Sequence, residues 1–514
     1  MYLITSADYI VSELQTEFGK IPPSFLPLQN KRLYEHQISL FEKNESIILS
    51  LPESFELSES DKLKLNEKNI KIIYVPDGFS LGLSIIYVLK TLADFNEPIK
   101  ILFGDTLFDR LPSGKDIYYV SEYVDNYNWA IANDSNEKYI YSGFFSFSNQ
   151  RMLIKSITES KFNFIVGANH YKNRIVINEI EAKHWLDFGH SNTYFRSKMN
   201  FTTERFFNNL KIDGNSVVKY STDKNKISGE ASWFLGLPNS LKKFTPSFFE
   251  YVENHDTCYY EIEYLYLNSL SELFVFGLNE IFVWKNIISS CDNFLINLRM
   301  HKAPNPVSYK EQCMKMYFEK TKLRLIEFSK INNIDLDVNW IINGNKTPSL
   351  NFILHHISDL IDLPSEEFIT VSHGDFCFSN ILYNFRSNNV KVIDPRGVDS
   401  DGNHSCYGDI RYDIAKLAHS VIGLYDFIIS GFYEYKSHEK YNINFKVHTN
   451  DNIVKVQKHF LTQTFAGLSI DKACTYPIMI YLFMSMLPLH KDNEKRQMAL
   501  LANSLKLYLE FINR

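Results

Sequence analysis

Three short runs near the start of the chain share one pattern. SIILSLP (46–52), IKIIYVP (70–76) and IKILFGD (99–105) are rich in β-branched and apolar residues and end in turn residues, so each predicts a strand. Between the last two, GLSIIYVLKTLADF repeats its apolar residues at helical spacing. Strand–helix alternation predicts a parallel α/β sheet, and ligands gather at the carboxyl ends of such strands, where Asp105 falls. After about residue 115 the text becomes irregular and strand-rich (DIYYVSEYV, YIYSGFFSFS, NRIVINEIE), and it changes again at KHWLDFGHSNTYFRSK (183–198). RFFNNLKIDGNSVVKYST, from 205, predicts a small β unit with DGN as its hairpin turn. KNKISGEASWFLGLP (224–238) predicts a helix, and CYYEIEYLYLNSLSELF begins as a strand and turns helical. From about 270 helices dominate, interrupted only by a loop and strand pair around 371–397. The expected divisions are 1–200, 201–268 and 269–514.

At 514 residues the chain exceeds one ordinary core, so two or three domains are expected. A hydrophobic share of 45% with 22% charged residues is that of a globular protein. The net charge of −6 argues against nucleic acid as a partner. Six widely spaced Cys, with no CxxC pair, speak against a disulfide framework or a structural zinc and favour a reducing cytoplasm. MYLITSADYIVSEL lacks the form of a signal peptide, and the longest apolar run, PIMIYLFMSMLPL (477–489), is too short to span a bilayer. A buried helix is expected there and no integral membrane segment; homo-oligomerisation is left open.

Candidate chemistry sits in the second half. Phosphoryl transfer requires a group to accept the acceptor's proton, oxygen ligands for Mg²⁺, and cations for the phosphates. HGDFCFSN (373–380) followed by VIDPRG supplies Asp375, Asn380 and Asp394 in that order. Upstream, VVKYS puts Lys219 on a predicted strand and Glu230 follows on the next predicted helix, the order of a strand lysine held by a helix glutamate. Singly, each has a bland reading as a surface charge or a capped turn; the ordered set of five does not.

With these residues in hand, the region from about 205 to 514 resembles the aminoglycoside phosphotransferase and choline kinase family of small-molecule kinases. HGDFCFSNILY resembles its catalytic loop, VIDPRG its metal segment and GDIRYDIAKL (408–417) the helix start that follows. The resemblance implies an α+β bilobal protein-kinase-like fold using ATP and Mg²⁺. It makes Asp375 the catalytic base, Asn380 and Asp394 metal ligands, and Lys219 with Glu230 the phosphate-steadying pair. YEIEYL (260–265) takes the place of the adenine-receiving hinge, with backbone groups of Glu261, Ile262, Glu263 and Tyr264. His373 is expected to brace the loop, Asp413 to bond structurally, and Arg396 to meet either a phosphate or a surface carboxylate. DSDGNHSCYGD (399–409) is a candidate rim for a hydroxyl-rich acceptor. No glycine-rich phosphate loop precedes Lys219, where only Gly214 is available.

KIPPSFLPLQNKRLYEHQISLF (20–41) resembles the start of sugar nucleotidyltransferases, which implies a Rossmann-like mixed sheet. DGFSLGLSIIYVL (77–89) is similar to their base-contacting segment, ILFGDTLF (101–108) to the first metal-binding Gly-Asp and WLDFGH (185–190) to the second. By that mapping Asp105 and Asp187 hold Mg²⁺. The phosphate-cradling glycines and arginine are missing from SADYIVSELQTEFGK, and Ser24 stands where the family has lysine. Lys20 or Lys31 could substitute, though the reading of both as surface lysines is favoured.

The leading expectation is therefore an ATP- and Mg²⁺-dependent small-molecule kinase. It would act on a sugar, polyol or amino alcohol for surface polysaccharide precursors, with an N-terminal domain impaired in nucleotidyl transfer. A bifunctional enzyme that also binds a second nucleotide or sugar nucleotide is the first alternative. A non-catalytic nucleotide- or sugar-binding regulator is the second.

Overall fold

The strand Tyr2–Thr5 pairs in parallel with Ile47–Pro52 on one side and Ile99–Phe103 on the other. Lys71–Val75 extends the sheet in parallel beyond Ile47–Pro52. Tyr139–Phe147 runs antiparallel to both Ile99–Phe103 and Ile117–Glu122, and Asn178–Glu181 closes that edge in parallel. The result is a seven-stranded mixed sheet. Consecutive residues Tyr2 and Leu3 belong to separate apolar clusters, because successive side chains of a strand point to opposite faces. Both faces of the central strand are thus buried, which is why these strands carry apolar runs rather than alternation. The helix Leu81–Leu92 lays Ile85, Ile86, Val88 and Leu89 on the Leu3 face. Each such fully buried chain contributes about 1.5–3 kcal/mol.

The computed structural model describes residues 1–43, 45–122, 139–206, 210–254 and 258–514. It divides into two compact units, Met1–Lys198 with Phe276–Leu278, and Met199–Val275 with Asn279–Arg514. In the first, the stretch expected to be strand-rich also contains the helices Gln150–Glu159 and Phe164–Lys172. Their starts are fixed by Asn149 and Asn163, whose side chains accept from the N–H groups of Met152 and Val166. Leu153 and Ile157, four apart, bury one face.

The second unit is α+β and bilobal, as expected. Its small lobe is an antiparallel sheet in the order Leu210–Ile212, Ser216–Tyr220, Cys258–Glu263, Phe248–Glu253. The expected DGN turn is present. Asp213 accepts from the N–H groups of Asn215 and Ser216, and Gly214 takes φ +93°. The helix Lys224–Gly236, capped by Asp223, packs on this sheet. The large lobe is built on Ile281–Arg299, Lys320–Asn332, Ile410–Val421, Thr475–Met486 and Glu494–Ile512. Eleven of the twelve residues of Thr475–Met486 are buried, as the apolar run predicted. Among the described residues no helix is long and apolar enough to cross a membrane.

The large lobe differs from the expectation of helices broken only at 371–397. Trp340–Ile342, Asn345–Thr347, Tyr433–Glu439 and Asn442–Val447 form a further four-stranded sheet. Asn442–Val447 alternates buried and exposed positions, the period-two signature of a half-buried strand.

Candidate active site

The strand Ile369–Val371 delivers the chain into the loop His373–Asn380. Asp413, wholly buried on the helix Ile410–Val421, accepts from the backbone N–H of His373 and of Gly374, each at 2.8 Å. Two buried donors that the loop would otherwise orphan are thereby satisfied. Burial nevertheless pushes the Asp413 carboxyl up to about 6. Gly374 has φ +74°, and a Cβ there would lie 2.7 Å from Cβ of Arg396. His373 ties the loop to the next strand pair through Nε2–H to the carbonyl of Ile393 at 3.0 Å, while Nδ1 accepts from the Asp375 N–H at 3.3 Å. Burial holds this ring's pKa down at about 4, so it is neutral and structural.

Asn380 Nδ2 donates to both the carbonyl and Oδ2 of Asp375, each at 3.0 Å. This orients the amide so that Oδ1 is its remaining acceptor. Asp375 Oδ1 receives Nζ of Lys416 at 2.7 Å. Burial opposes charge on Asp375, but Lys416 and Arg396 outweigh it and hold the carboxyl well below the carboxylate range. Sequence reasoning missed Lys416. Its only local signal is its place three residues after Asp413, on the same helix face.

Lys219, on the strand Ser216–Tyr220, reaches Oε2 of Glu230 at 2.7 Å and Oδ1 of Asp394 at 2.9 Å. Burial disfavours its charge, yet Asp394 and Glu230 together keep its pKa above the ordinary value. Tyr260 donates its hydroxyl to the same Oε2 of Glu230 at 2.8 Å and fixes that carboxylate from behind. Asp394 has φ +55°, a left-handed conformation uncommon for aspartate, which turns its carboxylate toward Lys219.

The helix bearing Glu230 is held in place by two glycines. Gly397 has φ +67°, and a Cβ there would lie 2.0 Å from the carbonyl oxygen of Gly229, the residue before Glu230. In turn, a Cβ on Gly229 would lie 2.6 Å from a methyl carbon of Val398. Only glycine at both positions lets the 394–398 segment and this helix approach so closely.

Asn380 Oδ1 and the Asp394 carboxylate are hard oxygen donors, the set that holds Mg²⁺ when phosphate oxygens complete its shell, so the residues fit the ion. At the hinge, the N–H groups of Glu263 and Tyr264 donate to Ser247 and Asn215, and Ile262 lies in register with Val217 and Phe248. Backbone there is largely engaged inside the sheet. The loop 399–409 binds itself and both lobes, with Gln312 donating to Asp399 at 3.2 Å and Lys315 pairing with Asp401 at 3.4 Å on the large-lobe side. Asp399 accepts from the N–H groups of Asp401 and Asn403, and His404 contacts Ser228 and Ser232 at 2.9 and 3.2 Å. A cleft beside it is lined by Tyr309, Met316, Arg396, Asp399, Tyr407 and Tyr412 among others.

In the first unit, Asp105 and Asp187 come together. A Cβ on Gly189 would meet Oδ2 of Asp105 at 2.7 Å and Oδ1 of Asp187 at 3.4 Å. Burial and the neighbouring Asp187 push Asp105 up to about 6. Asp187 is held by the hydroxyl of Thr193 and lies 3.6 Å from His190 Nδ1. Ser24 is fully buried and bonded to Ser6 Oγ at 2.7 Å, Lys31 is exposed, and Lys20 lies over the Tyr9 ring at 4.1 Å. A carboxyl whose pKa is raised by folding favours the folded state most fully below its unfolded value, and that contribution fades as pH rises through 6. Asp105→Asn should therefore raise the unfolding free energy by roughly 1–3 kcal/mol at pH 8 and leave it unchanged near pH 4. Urea denaturation at the two pH values measures this; an equal effect at both would rule out the ionisation account.

No family model matches the chain, and no curated protein matches it. Among solved structures, the chain is similar to a UDP-glucose pyrophosphorylase complexed with UDP-glucose. That likeness has 14% identity and a TM-score of 0.30, covering 40% of this chain and 98% of the other. It is also similar to a thermostable mutant of an aminoglycoside phosphotransferase, APH(4)-Ia, at 10% identity and a TM-score of 0.36, covering 62% and 100%. An aminoglycoside phosphotransferase from Streptomyces rimosus, in complex with ADP and streptomycin, gives 11% identity and a TM-score of 0.34, covering 53% and 87%.

Proposed function

We propose that residues 201–514 are an ATP- and Mg²⁺-dependent small-molecule kinase, with a small lobe over 201–268 and a helical lobe over 269–514. The observation that carries this is Lys219, which contacts Glu230 and also Asp394, 175 residues away, beside the Asp375–Asn380 pair. Lys219, steadied by Glu230, holds the α- and β-phosphates. Asp375 orients the acceptor hydroxyl and accepts its proton as the γ-phosphoryl group transfers. Mg²⁺, held by Asn380 and Asp394, would offset phosphate charge. Adenine is received at the hinge of Glu261, Ile262, Glu263 and Tyr264, beside the Leu265–Leu267 turn that follows. The acceptor is a sugar, polyol or amino alcohol, and surface polysaccharide precursor synthesis in the cytoplasm is the setting we infer.

An ADP-release screen over sugars, polyols, choline and their phosphates, with ATP and Mg²⁺, tests the reading; no turnover with any of them would count against it. Binding offers a second test. A hundredfold excess of ADP over its Kd should stabilise the protein by about 2.7 kcal/mol. In Asp394→Asn the Mg²⁺-dependent part of that gain should vanish; if calorimetric titration shows it intact, Asp394 is not a metal ligand.

For residues 1–200 we propose a nucleotidyltransferase-like domain that retains a metal-binding carboxylate pair, Asp105 and Asp187, but lacks the cations that nucleotidyl transfer requires. The burial of Ser24 supports this, since that position offers no charge to a triphosphate. The proximity of the two carboxylates favours the bifunctional alternative to the extent that they could still hold Mg²⁺ beside an α-phosphate. Pyrophosphate released from CTP, UTP, GTP or dTTP with sugar phosphates would decide for the bifunctional enzyme.

A further inference from the structure

The loop His373–Asn380 carries the proposed base but no lysine or arginine of its own. The cation beside Asp375 comes instead from the helix Ile410–Val421, where Lys416 puts Nζ 2.7 Å from Oδ1. The same helix grips the loop on either side of that contact. Asp413, three residues earlier, accepts from the N–H groups of His373 and Gly374, each at 2.8 Å. Ser420 Oγ, four residues later, accepts from the N–H of Phe378 at 3.0 Å. Positions 413, 416 and 420 fall on one helical face, so the ammonium is fixed relative to the loop at three successive points.

The donors of Lys416 are only partly used. An ammonium has three N–H groups; among the described residues Oδ1 of Asp375 is its one partner, which leaves two uncommitted. Asp375 is also the one acid within ion-pair distance of it there. Asp413 is spent on backbone N–H groups, and Asp426 is pushed up to about 6 by burial. The neighbouring cations are engaged elsewhere, Lys219 with Glu230 and Asp394, and Arg396 with the Tyr412 hydroxyl at 2.8 Å. The pair has an open side, since the side chain of Asp375 is 38% exposed and that of Lys416 is 13% exposed.

Phosphoryl transfer spreads negative charge over the peripheral oxygens of the group in flight, and a cation already in place there stabilises it most. An acceptor hydroxyl bonded to Oδ1 of Asp375 would share that oxygen with Lys416 and lie on the order of 4–5 Å from Nζ. A phosphoryl group joining that hydroxyl comes within reach of an uncommitted N–H. We propose that Lys416 is a catalytic residue of the transfer itself, donating one N–H to the γ-phosphoryl group while another keeps Oδ1 of Asp375. The bond from the γ-phosphorus to the ADP oxygen breaks, and that oxygen keeps the electron pair. The acceptor oxygen bonds to phosphorus and its proton passes to Asp375, while Lys416 stays protonated throughout. This rests on the kinase reading and adds a cation that its motif residues do not include.

Calorimetric titration of the full chain with ADP and Mg²⁺ tests it, with and without aluminium fluoride as a planar mimic of the phosphoryl group. Wild type should bind ADP about tenfold or more tighter when the mimic is present. In Lys416→Met the affinity for ADP alone should hold, while that gain is lost with the charge-assisted bond. Asp375→Asn and Asp375→Asn/Lys416→Met separate contact from positioning, and they keep the comparison valid if Lys416→Met folds poorly. A gain present in Asp375→Asn and lost in the double variant shows that Lys416 meets the mimic directly. An equal gain in wild type and Lys416→Met, an equal gain in the two Asp375→Asn proteins, or no gain in wild type overturns the proposal. Wild type that binds no ADP at all would refute the kinase reading and the proposal with it.

Discussion

Asp375→Asn should lower kcat about 10²–10⁴-fold, the usual worth of a positioned proton acceptor. The structure adds a complication to that variant. Lys416 Nζ lies 2.7 Å from Oδ1 of Asp375, and its charge is compensated there. Asparagine keeps a hydrogen-bond acceptor but removes the charge, so some stability should be lost as well. Removing one partner of a fully buried pair costs about 3–5 kcal/mol, and this pair, with the Asp375 side chain 38% exposed, should lose less; replacing both by matched apolar groups is often nearly neutral. Asp375→Asn/Lys416→Met should therefore regain stability toward wild type without regaining activity. Urea denaturation and ADP release on the same preparations separate the two effects. Full turnover by Asp375→Asn would remove it as the base. Recovery of turnover in the double variant would make the pair a structural device.

Gly397→Ala should be the most damaging change of a single methyl group near the site. Placing a β-carbon at φ +67° costs about 1–2 kcal/mol. That carbon would also sit 2.0 Å from a backbone oxygen of Gly229, which cannot rotate away as a side chain could. Overpacking of this kind adds about 1–3 kcal/mol. The helix must shift, Glu230 shifts with it, and Lys219 loses the partner that steadies it. Expected results are a fall in kcat/KM of about a hundredfold or more from an ångström-scale displacement, and a lower Tm. Gly431→Ala is the control. Gly431 has φ +76° but nothing lies within 4 Å of its would-be Cβ, so it carries the backbone cost alone. Equal losses in the two variants would show that conformation, and not the contact with Gly229, is what matters at Gly397.

Ile47–Pro52, Lys71–Val75 and Ile99–Phe103 were legible because each is a mostly apolar, β-branched run, whereas Tyr2–Thr5 at the centre of the sheet is too short to declare itself. The two helices after residue 149 were not legible either, since their apolar residues are few and their Asn caps are ordinary loop residues when read locally. The sheet of the helical lobe was harder still. Trp340–Ile342 pairs with Asn442–Val447 across about a hundred residues, and neither strand is long enough to declare itself alone. In the site, Lys219, Glu230, Asp375, Asn380 and Asp394 could be picked out because their spacing is set by short motifs. The structure brings Lys219, Glu230 and Asp394 into contact, and separately Asp375 and Asn380. Lys416 carries only its helical offset from Asp413, and Tyr260 carries no such signal: a single lysine or tyrosine on a helix or strand is ordinary until folding shows what it faces.

The double grip of Lys219 bears on how fast such a site could empty. The ammonium has two carboxylate partners of the protein's own, so on the proposed kinase reading departure of the product would not strand a partly buried charge. Asp394, about half exposed, would on that reading take the place of the leaving phosphates. A built-in substitute of this kind trades some affinity for a faster exit. Where release of ADP limits turnover, shortening residence time is worth more than tightening the hold.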